Sequence, residues 1–258
     1  IYTLSLHDAL PISSQGKKVA LIEKSKSMYG GTCINIACIP TKTLIVAAEK
    51  GLDFEQAMNE KNAVTTRLNG KNYATIAGTG VDIIDATARF LSNKVIEIQA
   101  GDEKEELTAE TIIINTGAVP NVLPIPGLAE SKFAVDSTGI QRLENLPKRL
   151  GVLGGGPIGL EFAHLYNTLG SQVTVLDASE TFLPRIEPSI AALAKSYLEE
   201  DGIQFLQGVH TQEIKDDQNS LTVVTDKGDF EFDILLYATG RKPNTAGLGL
   251  ENTDIQVT

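Results

Sequence analysis

Cysteine and histidine are scarce in this 258-residue chain, two of the first and three of the second. Both cysteines, Cys33 and Cys38, lie in one short stretch with no histidine close by, which speaks against a zinc centre built from four such ligands. No metal site is expected. Basic residues are also short, 22 against 33 acids, leaving a net charge of −11 and a pI near 4.8. That balance argues against phosphate-rich partners, so neither nucleic acid nor an anionic membrane surface is expected. No apolar run approaches the ~20 residues of a membrane span. The N-terminus lacks the basic segment before an apolar one that a secretory signal needs, and cytoplasm is the expected compartment.

What is present suits ordinary globular cores: 42% of the residues are apolar, and the length fits two medium domains. Short apolar runs alternate with glycine turns and helical stretches. Lys18–Glu23, Thr111–Thr116, Leu150–Leu153, Gln172–Asp177 and Asp233–Thr239 are expected strands. Pro188 and Ser189 should start a helix that runs to Glu200 and stops at Gly202, burying a stripe of Ile190, Leu193, Ala194, Tyr197 and Leu198. Strand–glycine–helix alternation implies an α/β fold with parallel sheets covered by helices. A repeat, T-G-x-x-P-N, occurs at Thr116–Asn121 and again at Thr239–Asn244, each time after an apolar strand. It marks two related nucleotide-binding halves, with the boundary expected near Leu146–Arg149.

The second half holds a complete dinucleotide fingerprint. Gly154-Gly155-Gly156-Pro157-Ile158-Gly159 follows a strand and opens a helix over Leu160–Leu169, and Asp177 ends the next strand. The first glycine permits the turn, the second admits a pyrophosphate to the backbone, and the third lets helix pack on strand. The helix N-terminus then faces the phosphates. The first half has an acid at a strand end, Glu23, but no such triplet. Counting back from Glu23 by the same spacing reaches the chain start, and the first glycine is Gly16. Pro11 also falls where a crossover helix should run. Residues 1–13 are therefore expected to be a non-native segment.

Between these features stands Tyr29-Gly30-Gly31-Thr32-Cys33-Ile34-Asn35-Ile36-Ala37-Cys38-Ile39-Pro40-Thr41-Lys42. Two thiols separated by four residues, after a Gly-Gly turn and opening a helix, suit reversible disulfide chemistry, because helix N-termini and cations favour the thiolate. Two small core hydrophobes that happen to fall close together are the alternative. The segment resembles the redox-active disulfide of the flavoprotein disulfide reductases, closest to the reactive-chlorine-resistance and hypothiocyanous-acid-reductase branch. The resemblance covers Ser14–Thr258, about the first half of a family member, and implies a chain incomplete at both ends. It implies two Rossmann-like domains, one for FAD and one for NAD(P), with parallel sheets, helices and a β-meander. On that basis residues 14–144 are a partial FAD-binding domain, 145–245 the NAD(P)-binding domain, and 246–258 the start of a return to the first.

The resemblance also implies residue roles. Cys38 lies against the flavin as the charge-transfer thiolate, and Cys33 meets substrate as the interchange thiol. Ala37 replaces the glycine usual before the second cysteine. Lys42 pairs with Glu161 beside the flavin and nicotinamide. Glu23 accepts from the adenosine ribose of FAD, and Thr32, Thr87, Ala88, Thr116 and Gly117 take FAD-contact positions. Gly154, Gly156, Ile158, Gly159, Asp177, Gly240 and Arg241 are the remaining cofactor-binding positions. Asp177 favours NADH over NADPH, since its charge repels a 2′-phosphate and Arg185 is the first cation to follow it. Pro157 stands where some members carry an aromatic gate, and no histidine here matches a family motif. The full-length parent is expected to be a homodimer whose partner subunit supplies the acid–base histidine; the fragment by itself need not be one and is not expected to turn over. The implied reaction passes electrons from NAD(P)H through FAD and the disulfide to hypothiocyanous acid, another oxidant or a metal ion. A dihydrolipoamide, glutathione or mercuric reductase is the nearest alternative, and a non-catalytic nucleotide-binding or redox-sensing module the other.

Overall fold

The computed structural model describes residues 12–256, so most of the segment expected to be non-native lies outside the described residues. The chain forms two compact units. The first takes the chain up to Ile39, then Ala63–Val119, then the part from Pro243; the second takes Pro40–Asn62 and Pro120–Lys242.

In the first unit, β1 (Ala20–Glu23) pairs in parallel with β2 (Asp82–Asp85), Glu23 standing opposite Asp85. β3 (Thr87–Ser92), β4 (Val95–Ala100) and β5 (Glu103–Thr108) follow as an antiparallel meander. Val19 and Leu21 pack on Ile76 and Val81, while Ile22 on the opposite face meets Phe90, Ile96 and Ile98. This two-faced burial follows from the period-2 alternation of strand side chains. The expected strand over Thr111–Thr116 reduces to a single bridge residue, Ile113. A strand exists only where a neighbour supplies its ladder, and the parallel sheet of this unit has two strands among the described residues.

The redox segment forms two helices rather than one: α1 (Gly31–Asn35) and α2 (Cys38–Glu49). Ile36, at φ −141° and ψ 5°, leaves the helical region and separates them. Pro40 is tolerated in the first turn of α2, where its missing N–H has no helical acceptor. Contrary to the expectation from apolar runs, Gly31–Glu49 is long and apolar enough by composition to cross a membrane. Its break at Ile36–Ala37 and the uptake of Leu44, Ala47 and Ala48 into the second unit's core account for that composition instead. Next comes α3 (Phe54–Ala77), opened by a reciprocal cap. Asp53 Oδ1 accepts the Gln56 amide at 2.8 Å, and Gln56 Oε1 accepts that of Asp53 at 3.2 Å.

The chain leaves the first unit within β6 (Ala118–Pro120). The second unit contains β7 (Ala134–Val135), β8 (Arg149–Leu153), α4 (Pro157–Thr168), β9 (Gln172–Asp177), α5 (Pro188–Glu200) and β10 (Gln204–Gln207). A meander of β11 (Thr211–Asp216), β12 (Leu221–Thr225) and β13 (Gly228–Phe232) follows, then β14 (Ile234–Tyr237). The return begins at β15 (Arg241–Pro243). The sheet order is β10-β9-β8-β14-β7, all parallel. Leu150 and Val152 of β8 are buried among Phe162, Ala163 and Tyr166 of α4. Gly151 has no side chain because the Phe232 ring stands where its Cβ would be, 2.6 Å away. Residues 120–144 belong here by packing, since Leu128 and Ile140 are fully buried in this unit's cores, although they precede Leu146–Arg149.

On α5 the expected buried stripe is split: Ile190, Leu193 and Tyr197 are turned outward, while Leu198 packs against the core. Ile190 is 57% exposed and Tyr197 58%, whereas Ala191 is 5% exposed. Leu198 and the buried Ala191, seven residues apart, make the inward face.

Candidate active site

Gly154 follows β8 with φ +105°, and its amide donates to the Leu176 carbonyl at 2.8 Å. A Cβ there would stand 2.8 Å from the Ala238 carbonyl oxygen. At Gly159 a Cβ would overlap the Gly154 carbonyl oxygen, so this glycine lets α4 pack on β8. Gly156 differs: it caps α4 at φ −79° and ψ 176°, and a Cβ on it would meet open space. Pro157 follows as the first helical residue, and Ile158 is half-buried against the core beneath. The amides of the first turn have no helical acceptor and point out of the N-terminus. Asp177, at the end of β9, accepts the amides of Gly155 and Ser179, both at 2.8 Å. Its carboxylate therefore pins the glycine loop and keeps lone pairs for a further donor. The open cradle at Gly156, the helix N-terminus and the strand-end acid fit a dinucleotide.

Cys33 lies in α1, and Cys38 is the first residue of α2; both are exposed free thiols. The Cys33 thiol faces that of Cys38 and receives the backbone N–H groups of Cys38 and Ile39 at the start of α2. The contact with Cys38 and partial burial push the Cys33 thiol up, and the two amides oppose this. The turn entering α1 is made by Gly30 and Gly31, at φ +92° and +76°.

Lys42 follows Cys38 by one turn of α2 and forms an ion pair with Glu161 of α4, both within the second unit. The two side chains keep 60% and 41% of their exposure. A pair this exposed adds about 0–1 kcal/mol to stability, so folding alone gives little reason for it.

Glu23 is half-buried at the end of β1, and its Oε1 accepts the Ser25 amide at 3.0 Å. Burial raises its carboxyl above the usual range, against the Ser25 amide and the charge of Lys24. Thr32 and Gly117 come together: Gly117 adopts φ +72°, and a Cβ on it would stand 3.6 Å from Thr32 Oγ1. Thr87 and Ala88 sit in the β3–β4 ladder opposite Gln99 and Ile98. The repeated motif forms two matching clasps. In the first unit Thr116 Oγ1 donates to the Asn244 carbonyl at 2.7 Å, and the Asn244 amide donates to the Gly117 carbonyl at 2.9 Å. In the second unit Thr239 Oγ1 donates to the Asn121 carbonyl at 2.6 Å, and the Asn121 amide to the Gly240 carbonyl at 2.9 Å. Arg241, next in line, is half-buried.

Several residues at the redox turn escape sequence reasoning. Tyr29 donates through its hydroxyl to Asp85 Oδ1, and its ring meets Tyr73 at 4.9 Å between centroids. Asn35, Asn69 and Asn72 surround the same turn. Asn35 lies inside the motif and could be suspected there; the others are 40 or more residues from Tyr29 in sequence, beyond any local signal.

Residues 6–258 match the pyridine nucleotide-disulphide oxidoreductase family. The chain is 42% identical over 250 residues to the probable pyridine nucleotide-disulfide oxidoreductase RclA of Escherichia coli K12, covering 96% of this chain and 57% of that protein. It is 31% identical over 270 residues to a mercuric reductase of Staphylococcus aureus, covering 96% and 48%. It is 30% identical over 271 residues to a dihydrolipoyl dehydrogenase of Geobacillus stearothermophilus, covering 97% and 57%. The solved HOCl-induced flavoprotein disulfide reductase RclA from Escherichia coli matches with a TM-score of 0.94 at 41% identity, over 98% of this chain and 58% of that one. Its Cu(II) complex matches with a TM-score of 0.96 at 41% identity and the same coverage. The chain thus spans about half the length of the curated relatives it matches. Paired thiols after a Gly-Gly turn, a dinucleotide cradle and these matches agree, and the chain belongs to the pyridine nucleotide-disulfide oxidoreductase family.

Proposed function

We propose that the chain provides the dinucleotide site and redox disulfide of an FAD-dependent NAD(P)H:disulfide oxidoreductase. In this reading NADH is the preferred donor, and Cys33 and Cys38 pass electrons to hypothiocyanous acid or to a metal ion such as Cu(II) or Hg(II). The observation that carries it is the pairing of the two exposed thiols at the break between α1 and α2. Glu23, Thr32 and Gly117 of the first unit would hold FAD, which would supply the two-electron chemistry linking nicotinamide to disulfide.

Opening the Cys33–Cys38 bond with two electrons and one proton leaves one thiol and one thiolate. Deprotonated Cys33 attacks the sulfur of hypothiocyanous acid; a new S–S bond forms, and hydroxide leaves and takes the remaining thiol proton to become water. Cys38 then attacks Cys33 Sγ, thiocyanate departs, and the protein disulfide closes again. With a metal substrate, two Cu(II) ions take one electron each as the thiol and thiolate close to the disulfide and one proton is released. Lys42, held by Glu161 one helical turn past Cys38, places a positive charge where negative charge develops. The oxidant and metal class is supported by relatives named as an HOCl-induced reductase, its Cu(II) complex and a mercuric reductase. The dihydrolipoyl dehydrogenase at 30% identity favours a small disulfide as the second reading.

The test is to add hypothiocyanous acid, Cu(II) or lipoamide disulfide to the reduced chain and count thiols by alkylation and mass spectrometry. Loss of both thiols as an intramolecular disulfide is expected, fastest with one of the first two. Oxidation that leaves Cys33 and Cys38 unlinked would overturn the redox assignment.

A further inference from the structure

We propose that Asn69 is a positioning residue for the redox pair, acting through Asn35 on the turn that sets Cys33 against the start of α2. This deepens the reading of Cys33 and Cys38 as the redox disulfide and rests on it. Gly30 and Gly31 both adopt positive φ, so the turn has no side chain of its own to fix its course. A relay of carboxamides holds it instead. Asn35 Nδ2 donates to the carbonyls of Tyr29 at 2.9 Å and Gly31 at 2.8 Å, spanning Gly30. Asn69, on α3, directs its own Nδ2 at three oxygens: Asn35 Oδ1 at 3.0 Å and the carbonyls of Tyr29 and Lys26, each at 3.3 Å.

A carboxamide has one donating and one accepting end. Asn69 occupies the accepting end of Asn35, which leaves the donating end aimed at Tyr29 and Gly31. Without Asn69, Asn35 is free to rotate its amide by half a turn and lose both bonds. Asn72 closes the other side, since a Cβ on Gly30 would stand 2.6 Å from its Nδ2. The consequence falls on Cys33, two residues after Gly31. Its thiol is pushed up by the Cys38 thiol and partial burial, against the N–H groups of Cys38 and Ile39, which favour the thiolate. Such hydrogen bonds weaken steeply with misalignment, so the orientation of α1 tunes both thiolate fraction and disulfide closure.

The experiment compares the 258-residue chain with Asn69→Leu, Asn69→Asp and, as a control on the same helix, Thr75→Ala. Two quantities are read: the pH profile of iodoacetamide alkylation at Cys33, resolved from Cys38 by peptide mass spectrometry, and the thiol–disulfide equilibrium constant in glutathione buffers. Asn69→Leu removes the donor, and Asn69→Asp puts a fourth acceptor among three. Both should displace the Cys33 profile and change the equilibrium constant by about threefold to tenfold, the size of one hydrogen bond, while Thr75→Ala changes neither. A general loss of stability would not move the pH profile of the folded protein, and if Asn69→Asp does not fold, Asn69→Leu decides. Unchanged profile and equilibrium in Asn69→Leu would overturn the positioning role and leave the redox reading standing. Failure of the unsubstituted chain to form the Cys33–Cys38 bond in any buffer would overturn both.

Discussion

Gly156 and Gly159 belong to one fingerprint, yet the structure separates what they do, and the separation is measurable. A methyl on Gly159 overlaps the Gly154 carbonyl oxygen and comes within 3.1 Å of Val152 Cγ1. Backbone cannot step aside cheaply, so α4 must lift off β8, and overpacking of this kind costs about 1–3 kcal/mol. A methyl on Gly156 meets nothing, at backbone angles an alanine adopts without strain. Alanine is a poorer N-cap than glycine, which works against the variant by about 1 kcal/mol or less. Alanine also restricts the unfolded chain, which returns roughly 0.4–1 kcal/mol, and the two nearly cancel. Gly156→Ala should therefore unfold in urea within about 0.5 kcal/mol of the parent. Its methyl nevertheless fills the space through which a pyrophosphate reaches the helix N-terminus, and NADH binding by calorimetry should weaken at least tenfold, about 1.4 kcal/mol. Gly159→Ala should lose stability first and binding as a consequence. A Gly156→Ala chain that keeps both parental stability and parental NADH affinity would refute the placement of the phosphates over this turn.

Further outcomes follow from the same geometry. Asp177→Ala should reduce NADH affinity more than NADPH affinity, and should also loosen the glycine loop, whose Gly155 amide it accepts; equal losses for the two nucleotides would remove the basis for choosing NADH. Glu161→Gln should leave thermal stability within about 1 kcal/mol of the parent, as befits an exposed pair, but slow NADH-dependent reduction when placed in the full-length parent; unchanged rates there would make the pair a surface contact only. Burial tends to raise the Asp233 carboxyl, but the side-chain and backbone bonds of Arg149 outweigh it and hold it below its usual value. A carboxyl lowered in the folded state stabilises above its unfolded value and loses that contribution as pH falls through the lowered one. Urea midpoints should thus decline below about pH 4, and Arg149→Met should flatten that decline. Replacing Ile190 or Tyr197 of α5 by serine should shift unfolding by about 0.5 kcal/mol or less, against the expectation of a buried stripe.

What the sequence makes legible is what short-range spacing determines. The glycine triplet, the helix behind it and Asp177 sit within one strand–helix–strand unit, so residue counts translate directly into geometry. The same holds for Cys33, Cys38 and Lys42, which share one stretch. Legibility fails where a second segment decides. α5 carries apolar residues on two faces, and only the sheet beneath selects the face of Ala191 and Leu198. Thr111–Thr116 has strand composition, yet among the described residues only Ile113 within it is a bridge position. Pro40–Asn62 follows the redox motif in sequence yet packs with the second unit, because Leu44, Ala47, Ala57 and Met58 find their partners around Tyr166 and Ile140.

The T-G-x-x-P-N repeat shows why a faint sequence signal can hold structural information. Each unit is interrupted, since the chain leaves the first after Val119 and rejoins it at Pro243. A unit entered and left in this way has to hold an outgoing end beside a returning one. The repeat does this with complementary halves: the threonine of one copy donates to the asparagine carbonyl of the other, and the asparagine amide donates to the glycine carbonyl opposite. Thr116 and Asn244 clasp the first unit, and Thr239 and Asn121 clasp the second. Positive φ at Gly117 and Gly240 turns each carbonyl toward its donor, which explains why glycine follows threonine in both copies. Each copy is thus half of both clasps. Thr116, Gly117, Gly240 and Arg241 stand at these crossings, so the positions singled out for cofactor contact are also where each unit secures its own chain ends.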